Sequence, residues 1–564
     1  MRIVKEDIGK FKYAFEFAFN VEVVMFCRSL KNSFGPVNFN FYNGKWRFSN
    51  ISIMDSIVQQ FPFDVEVHSS LQPDIEQYEL DKQKETLRLK KAEQLKKSVD
   101  TNFTVKGIKG NLYPYQKIGI EFFINNNGKA ILADTMGLGK TVQALGYVAH
   151  SKKEKTLVIC PASVKYSWES EVSKWTKLKP FVVDSQTSLK DLADESFHKH
   201  DVFIMNYDIV KKFFIRLDTL RWDCIICDEF HYIKNHKAQR TQLVKKLAKK
   251  IPSILLLSGT PLLSRPVELF NGLQLMDSMK WNDYYNYTRK YCGAYLGRFG
   301  WDVSGASNIG ELQKEISRYF LRRNKDEVLS ELPPKRYIHL PVNLDKDTKK
   351  KYRLAEDSFI EYLRNIKKKT ETEMRKSLQA EALVKLNELR KLTSTGKLEN
   401  AKEMIEDTIN NGEKIVVFSV YNEPLEILYD YFKKVAVLLT GKTEDKERKG
   451  IIDKFQNDKN TRVFFGGMKA AGAGITLTSA SNVLFIDYSW VPADHWQAQD
   501  RIHRIGQKAD SVSIYQLFAK DTIDEKMKAI LEDKQELFEQ LIDGKQITEK
   551  KTNLVSEIIN KLTT

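Results

Sequence analysis

The 564 residues carry 90 Lys and Arg against 74 Asp and Glu, a formal net charge of +16, and 42% of them are hydrophobic. That length exceeds one hydrophobic core and implies several domains, the apolar content excludes a disordered polyelectrolyte, and no apolar run is long enough to span a bilayer. The cationic surplus suits a polyanionic partner such as nucleic acid, and equally a solubilising lysine-rich surface.

In chain order, the start from Met1 to Asp7 lacks the apolar core of a signal peptide, and Cys27, Cys160, Cys224, Cys227 and Cys292 are scattered rather than paired. Both features indicate a soluble intracellular protein, nuclear in a eukaryote and cytoplasmic in a bacterium or virus. Residues 1–70 read as a small α+β domain: a strand over 13–19, a helix over 21–33, a hairpin over 37–48 turning at Asn43-Gly44, and a helix over 51–61 closed by Pro62. Residues 71–105 read as a basic helical linker, since seven Lys or Arg face two Glu between Lys82 and Ser98.

From 106 to 325 apolar runs at 130–133, 157–160, 202–205, 225–227 and 254–257 alternate with helical stretches, the pattern of a parallel sheet covered by helices. The same alternation returns over 401–535, at 415–418, 435–439, 463–465, 483–486 and 512–517. The expectation is two α/β lobes. Between them, 326–400 reads as long charged helices, with Tyr352, Ala355, Phe359 and Tyr362 on one face and Leu383, Leu386 and Leu389 on another, bridging or bracing the lobes. Residues 536–564 read as a helical tail.

The chemistry concentrates in four places. Ala133-Asp134-Thr135-Met136-Gly137-Leu138-Gly139-Lys140-Thr141 lies between an apolar strand and a helix. It reads as a phosphate loop, with Lys140 reaching the β and γ phosphates and Thr141 ligating Mg²⁺. Asp134 stands where the general pattern has its first glycine, and an ordinary strand-to-helix turn is the alternative. Asp228-Glu229 follows the strand at 224–227, so two carboxylates arrive at the C-terminal edge of a sheet, where α/β folds bind ligands. Asp228 would hold Mg²⁺ and Glu229 would orient and help deprotonate the attacking water; a helix N-terminal charge pair is the alternative. Ser258-Gly259-Thr260-Pro261 is either a sensor of the γ-phosphate or a turn. Gln497, Arg501 and Arg504 fall at i, i+4 and i+7, one face of a helix, and the arginines suit the role of fingers reaching across a cleft; a salt-bridged surface helix is the alternative. Cys224 and Cys227 are not read as zinc ligands, because no second ligand pair follows and their spacing within a strand points them to opposite faces.

Taken in order, these segments resemble the Swi/Snf-type translocases of helicase superfamily two, over roughly residues 106–530. Leu112-Tyr113-Pro114-Tyr115-Gln116 is similar to the adenine-reading segment, with Gln116 its glutamine. Pro161-Ala162-Ser163 with Trp168 and Trp175 resembles the first DNA-contact motif, Asp228 to His231 with Ile233-Lys234-Asn235 the second motif, and Leu257 to Pro261 the third. Leu321-Arg322-Arg323 with Lys325 resembles a stretch particular to the family. Residues 471–478, which include Gly474, resemble the fifth motif, 497–507 the sixth, and Thr522-Ile523-Asp524-Glu525 the closing segment. Thr135, where the family usually has Glu, and Phe230, where a small residue is common, are departures.

The resemblance implies two RecA-like lobes and a site for ATP and Mg²⁺. The nucleotide would be lined by Gln116, Asp134, Thr135, Met136, Gly137, Leu138, Gly139, Lys140, Thr141 and Gly474, the metal held by Thr141 and Asp228, and catalysis carried by Lys140, Asp228, Glu229, Arg501 and Arg504. It also implies DNA-dependent ATP hydrolysis driving movement along duplex DNA without strand separation, by a monomer with no membrane partner. The rivals are a strand-separating DNA or RNA helicase, a remodeller that displaces bound protein, and an ATP-independent scaffold. Residues 23–34 and 38–49 resemble the HepA-related accessory domain of the annealing-helicase branch, so forked or branched DNA is the expected partner. Phe39, Phe41, Tyr42, Trp46 and Phe48 would either fill a small core or stack, beside Lys45 and Arg47, on unpaired bases.

Overall fold

The computed structural model describes residues 1–34, 38–184, 186–189, 192, 194–261, 265–297, 300–329, 331–367, 372–470 and 475–538. The chain forms two units, Met1–Gln94 and Leu95–Thr564.

In the first unit, strands β1 (Arg2–Ile8), β2 (Phe11–Glu16), β3 (Phe39–Tyr42), β4 (Lys45–Phe48) and β5 (Glu66–Val67) form one sheet in the order β3-β4-β2-β1-β5. Helices Val21–Phe34 and Ser52–Gln60 complete the α+β unit, and the core is Ile3, Phe15, Phe39, Phe48 and Ile57. The hairpin turns where expected: Asn43 (φ 46°) and Gly44 (φ 75°) are both left-handed, as a two-residue turn of this hand requires. The strand expected over 13–19 stops at Glu16, because the Asn20 side chain accepts from the Glu22 and Val23 amides and starts the helix there. Residue 37, the expected start of the hairpin, lies outside the described residues. β1 does not read as a strand in the sequence: Lys5-Glu6-Asp7 follow Ile3 and Val4 directly, and only Ile3 is buried. Helix Gln72–Lys97 begins ahead of its basic stretch.

The second unit holds two parallel sheets. The first comprises β6 (Lys129–Leu132), β7 (Thr156–Cys160), β8 (Pro180–Val182), β9 (Val202–Asn206), β10 (Cys224–Asp228) and β11 (Ser253–Leu257). After a separate hairpin of β12 (Tyr295–Gly297) and β13 (Gly300–Asp302), β14 (Phe320–Leu321) completes it in the order β14-β6-β11-β10-β7-β9-β8. The second comprises β15 (Lys335–Val342), β16 (Ile415–Ser419), β17 (Ala436–Leu439), β18 (Val463–Gly467), β19 (Asn482–Phe485) and β20 (Val512–Ala519), in the order β15-β20-β19-β16-β18-β17. Strands such as β7, β11 and β16 are buried at every residue, since helices cover both faces; that is why they read as unbroken apolar runs. The expected architecture of two parallel-sheet lobes and a small N-terminal sheet unit is the one observed.

The stretch 326–400 is not wholly helical: β15 lies within it and pairs with β20 along eight residues. Helices Lys346–Lys367 and Thr372–Gly396 follow, and Tyr352, Phe359, Leu386 and Leu389 pack with Tyr488, Ile523 and Met527. They brace the second lobe. The side chains of Tyr362 and Leu383, and residues 539–564 of the expected tail, lie outside the described residues. All five cysteines are buried and free, and no described helix is long and apolar enough to cross a membrane.

Candidate active site

The phosphate-loop sequence leaves β6 and enters helix Lys140–His150 through two left-handed glycines, Gly137 (φ 89°) and Gly139 (φ 76°). A Cβ at Gly139 would also stand 2.6 Å from Gln116 Nε2, so a larger residue there would displace the end of that glutamine. Gln116 ties helix Pro114–Asn125 to the loop, donating to the Leu138 carbonyl (3.3 Å) and accepting from the Tyr113 amide (3.0 Å). The Lys140 ammonium donates to the carbonyls of Asp134 (2.7 Å) and Thr135 (3.4 Å). Desolvation lowers its pKa, while Glu229, Asp134 and Asp228 act in the opposite direction.

Asp134 does not face the cleft, contrary to the sequence-based expectation. Its side chain is wholly buried beneath the loop, where it accepts from Arg323 Nε (3.0 Å), from the same guanidinium's NH2 and from Gln143 Nε2 (3.1 Å). Arg323 also donates to Gln143 Oε1 (2.9 Å) and the Tyr115 carbonyl. A buried carboxylate at this position has to be paired, and the pairing fixes the loop's shape. Leu138 likewise turns inward, packing on Tyr115 and Leu329. The Thr135 hydroxyl is buried with no hydrogen-bond partner among the described residues, and Gly474 lies outside them.

At the end of β10, Asp228 and Glu229 are adjacent but differently held. Asp228 accepts from Trp168 Nε1 (2.8 Å) and from the Glu229 amide (3.0 Å); burial and then the neighbouring Glu229 push its pKa up. For Glu229, burial acts upward but is outweighed by His231, Lys140 and Ser258, which hold it below the usual carboxylate range. Ser258 Oγ donates to Glu229 Oε2 at 2.8 Å, and His231 Nδ1 lies 3.3 Å from the same oxygen. Glu229 itself sits at φ 49°, ψ 53°, a left-handed conformation rare for such a residue and common where a site constrains the backbone. The pair therefore divides into a carboxyl near a tryptophan and an ionised carboxylate among donors, a division suited to two different tasks.

The other wall comes from the second lobe. The helix expected to carry Gln497, Arg501 and Arg504 on one face is Pro492–Gln499 and ends before both arginines. The chain leaves it because Asp500 is bound by two lysines outside the helix, Lys325 Nζ (2.8 Å) and Lys335 Nζ (3.0 Å), and then turns through Gly506 at φ 97°. The arginines are delivered by turns. Arg501 is buried, with NH2 3.6 Å from Met136 Sδ, and burial and then Arg504 lower its pKa to about 9. Arg504 donates to the Ile475 carbonyl (3.1 Å) and Thr476 Oγ1 (2.9 Å). Gln497 Nε2 reaches Thr260 Oγ1 across the lobes at 3.2 Å, and the Thr260 amide donates to Ser258 Oγ (3.1 Å), which connects Glu229 to the second lobe.

Between these walls lies a cavity of about 800 Å³ whose lining includes Lys140, Thr141, Asp228, Glu229, Arg501 and Arg504, and also Gln116, Met136, Gly137 and Gly139. Trp168, part of the segment that resembles the first DNA-contact motif, is buried and donates to Asp228. Sequence reasoning missed Arg323 and Gln143 as the support of Asp134. The signal was present: an acid at a buried loop position calls for a buried base, and Arg323 stood in a segment already singled out.

A parallel-sheet lobe with a phosphate loop and an acidic pair, closed by a second parallel-sheet lobe bearing arginines, defines the two-lobed core of helicase-type proteins. Residues 115–398 match the SNF2-related domain and residues 396–506 the helicase conserved C-terminal domain. The chain belongs to the SNF2-related family. It is 32% identical over 79% of its length to the DNA annealing helicase and endonuclease ZRANB3 of Homo sapiens. Over 93% of its length it is 30% identical to the SWI/SNF-related matrix-associated actin-dependent regulator of chromatin subfamily A-like protein 1 of Xenopus laevis. It spans 42% and 53% of those two proteins, about half their length. A solved SWI2/SNF2 ATPase core of Sulfolobus solfataricus in complex with dsDNA is 27% identical, covering 79% of this chain and 95% of that one, with a TM-score of 0.39.

Proposed function

We propose that the chain hydrolyses ATP and uses it to translocate along duplex DNA, reannealing or remodelling branched DNA. The observation that carries this reading is the meeting of Lys140, the Asp228-Glu229 pair and Arg501 in one cavity between two lobes, although they come from widely separated parts of the chain. Lys140 and the amides at the start of its helix bind phosphate oxygens, Glu229 orients and accepts a proton from the attacking water, and Arg501 neutralises charge that develops on the transferred phosphoryl group. Thr141 and Asp228 both line the cavity and offer hard oxygen donors, a set that suits Mg²⁺. Bound Mg²⁺ would supply charge neutralisation on the phosphates.

The annealing reading rests on the curated relative named for that activity and on the presence of the N-terminal unit. The test is ATP turnover by the full chain without DNA and with single-stranded, duplex and forked DNA. Duplex and forked DNA are expected to stimulate turnover, and Lys140→Ala and Glu229→Gln to abolish it while DNA binding persists. Near wild-type turnover in either variant rejects the assignment. Displacement of a triplex strand without duplex unwinding distinguishes translocation from strand separation.

A further inference from the structure

The two arginines of the second lobe are bracketed by a buried ionic cluster that the hydrolysis scheme does not use. Asp500 immediately precedes Arg501 and is buried. One of its oxygens, Oδ1, accepts from Lys325 (2.8 Å) and from Lys335 (3.0 Å). These lysines mark the two ends of the crossover between the lobes: Lys325 opens the short helix that follows β14 of the first sheet, and Lys335 is the first residue of β15 in the second. Lys325 also donates to the carbonyl of His503, the residue before Arg504, and His503 Nε2 donates to the Pro333 carbonyl at 2.7 Å. The segment 500–504 is thus clamped on both sides of Arg501 by groups that belong to the crossover. The clamp adjoins the phosphate loop, for a Cβ at Gly137 would stand 3.2 Å from Arg504 Cγ and 3.4 Å from Lys325 Cε.

We propose that Lys325 and Asp500 form an inter-lobe latch that positions Arg501 and Arg504 against the phosphate loop, which makes Lys325 a positioning residue for hydrolysis. The proposal rests on reading the cleft as an ATPase site. One buried carboxylate is shared by two ammonium groups, so Lys335 alone can keep Asp500 paired, but only Lys325 ties it to the first lobe. A latch that sets arginine geometry acts on the transition state more than on nucleotide binding. Misplacement of a catalytic group by about 1 Å lowers turnover on the order of 10²-fold.

The latch is also sensitive to pH. Asp500, Lys335 and Arg504 face Lys325, while Tyr337 and Asp326 act on Lys335. Burial, offset in part by Asp500, lowers the Lys325 pKa to about 8. The ion pair needs the protonated amine, so it is intact below that pH and lost as the pH rises through it.

The experiment measures kcat and KM for ATP of the full chain across a pH range spanning 8, for wild type, Lys325→Met, Lys325→Arg and Lys335→Met. Lys325→Met is expected to lower kcat about 10²-fold with little change in KM, and Lys335→Met to have a much smaller effect on kcat. Lys325→Arg, which stays charged at every pH used, should recover turnover and lose the wild-type decline above about pH 8. Unchanged kcat in Lys325→Met, a rise in KM alone, equal losses in both Met variants, or persistence of the alkaline decline in Lys325→Arg overturns the latch. If Lys325→Met does not fold, the Lys325→Arg profile decides. A wild-type chain without ATP turnover sinks the ATPase reading itself, whereas an active wild type with an indifferent Lys325→Met sinks only the latch.

Discussion

Replacing Arg323 with Met should loosen the phosphate loop and its sheet more than any exposed substitution in the first lobe. Asp134 is wholly buried and takes hydrogen bonds from Arg323 Nε, Arg323 NH2 and Gln143 Nε2; the substitution leaves the carboxylate with one neutral amide donor. Breaking a buried pair by removing one partner costs about 3–5 kcal/mol, because the remaining charge stays desolvated. The Tyr115 carbonyl and Gln143 Oε1 also lose a donor, each at about 1–3 kcal/mol if water does not replace it. These contributions are not additive, so about 3 kcal/mol is the expected lower bound. A chain with several cores does not unfold in one step, so the assay is native-state hydrogen exchange on the amides of β6, β10 and β11, which report opening of this lobe. In the double variant Asp134→Leu with Arg323→Met neither charge of this pair remains, and exchange protection should largely return. A single Arg323→Met variant whose opening energy stays within about 1 kcal/mol of wild type would refute this account, since removing one partner of a buried pair typically costs about 3–5 kcal/mol.

Two further perturbations separate roles within the cavity. Trp168→Phe removes the indole donor to Asp228 while keeping an aromatic ring, and ATP turnover should fall by roughly tenfold to a hundredfold, the equivalent of about 1–3 kcal/mol; steady-state kinetics with unchanged kcat would show that Asp228 is positioned without it. Arg501→Ala should lower kcat by about 10³ to 10⁵, the range for an arginine that stabilises transferred phosphate, with nucleotide affinity largely kept. Arg504→Ala should have the smaller effect, because its guanidinium is committed to Ile475 and Thr476; single-turnover rates in the reverse order would reassign the finger.

The strands that build the two lobes were legible because burial on both faces leaves them as unbroken apolar runs. β8 and β14, with three and two residues, are too short to show any period. β15 sits at the edge of its sheet, and its sequence Lys-Arg-Tyr-Ile-His-Leu-Pro-Val mixes charge with apolar residues, so it reads as linker. Site residues were legible by chemistry and spacing, yet not by orientation. Spacing at i, i+4 and i+7 predicts one helix face for Gln497, Arg501 and Arg504 only if the helix continues, and the ion pairs of Asp500 outside the helix decide that it does not. Asp134 and Trp168 show the same limit: the sequence marks each as important, but their decisive partners, Arg323 for Asp134 and Asp228 for Trp168, lie far along the chain.

The hairpin of the N-terminal unit resolves the two alternatives open in its sequence into a division of labour that can be tested. Phe39, Trp46 and Phe48 are core residues, whereas Phe41 and Tyr42 near the turn are 54% and 48% exposed. Lys45 and Arg47, which follow these exposed rings in sequence, are paired within the unit, Lys45 with Glu6 and Glu16 and Arg47 with Glu6. Their charge is already neutralised, so if this hairpin engages unpaired bases at a junction it does so by stacking, worth about 1–3 kcal/mol per base. Counterion release, and with it a steep salt dependence, would then come from other contacts. Phe41→Ala with Tyr42→Ala in the full chain should therefore reduce the preference for forked over plain duplex DNA, leave duplex-stimulated turnover unchanged, and leave the slope of binding against salt nearly as it was. A chain beginning near Thr101 should lose fork preference and annealing altogether. If the truncated chain anneals strands and regresses forks as well as the full chain, the unit has no targeting role; if the double variant instead flattens the salt slope, the hairpin contacts phosphates and the stacking argument is wrong.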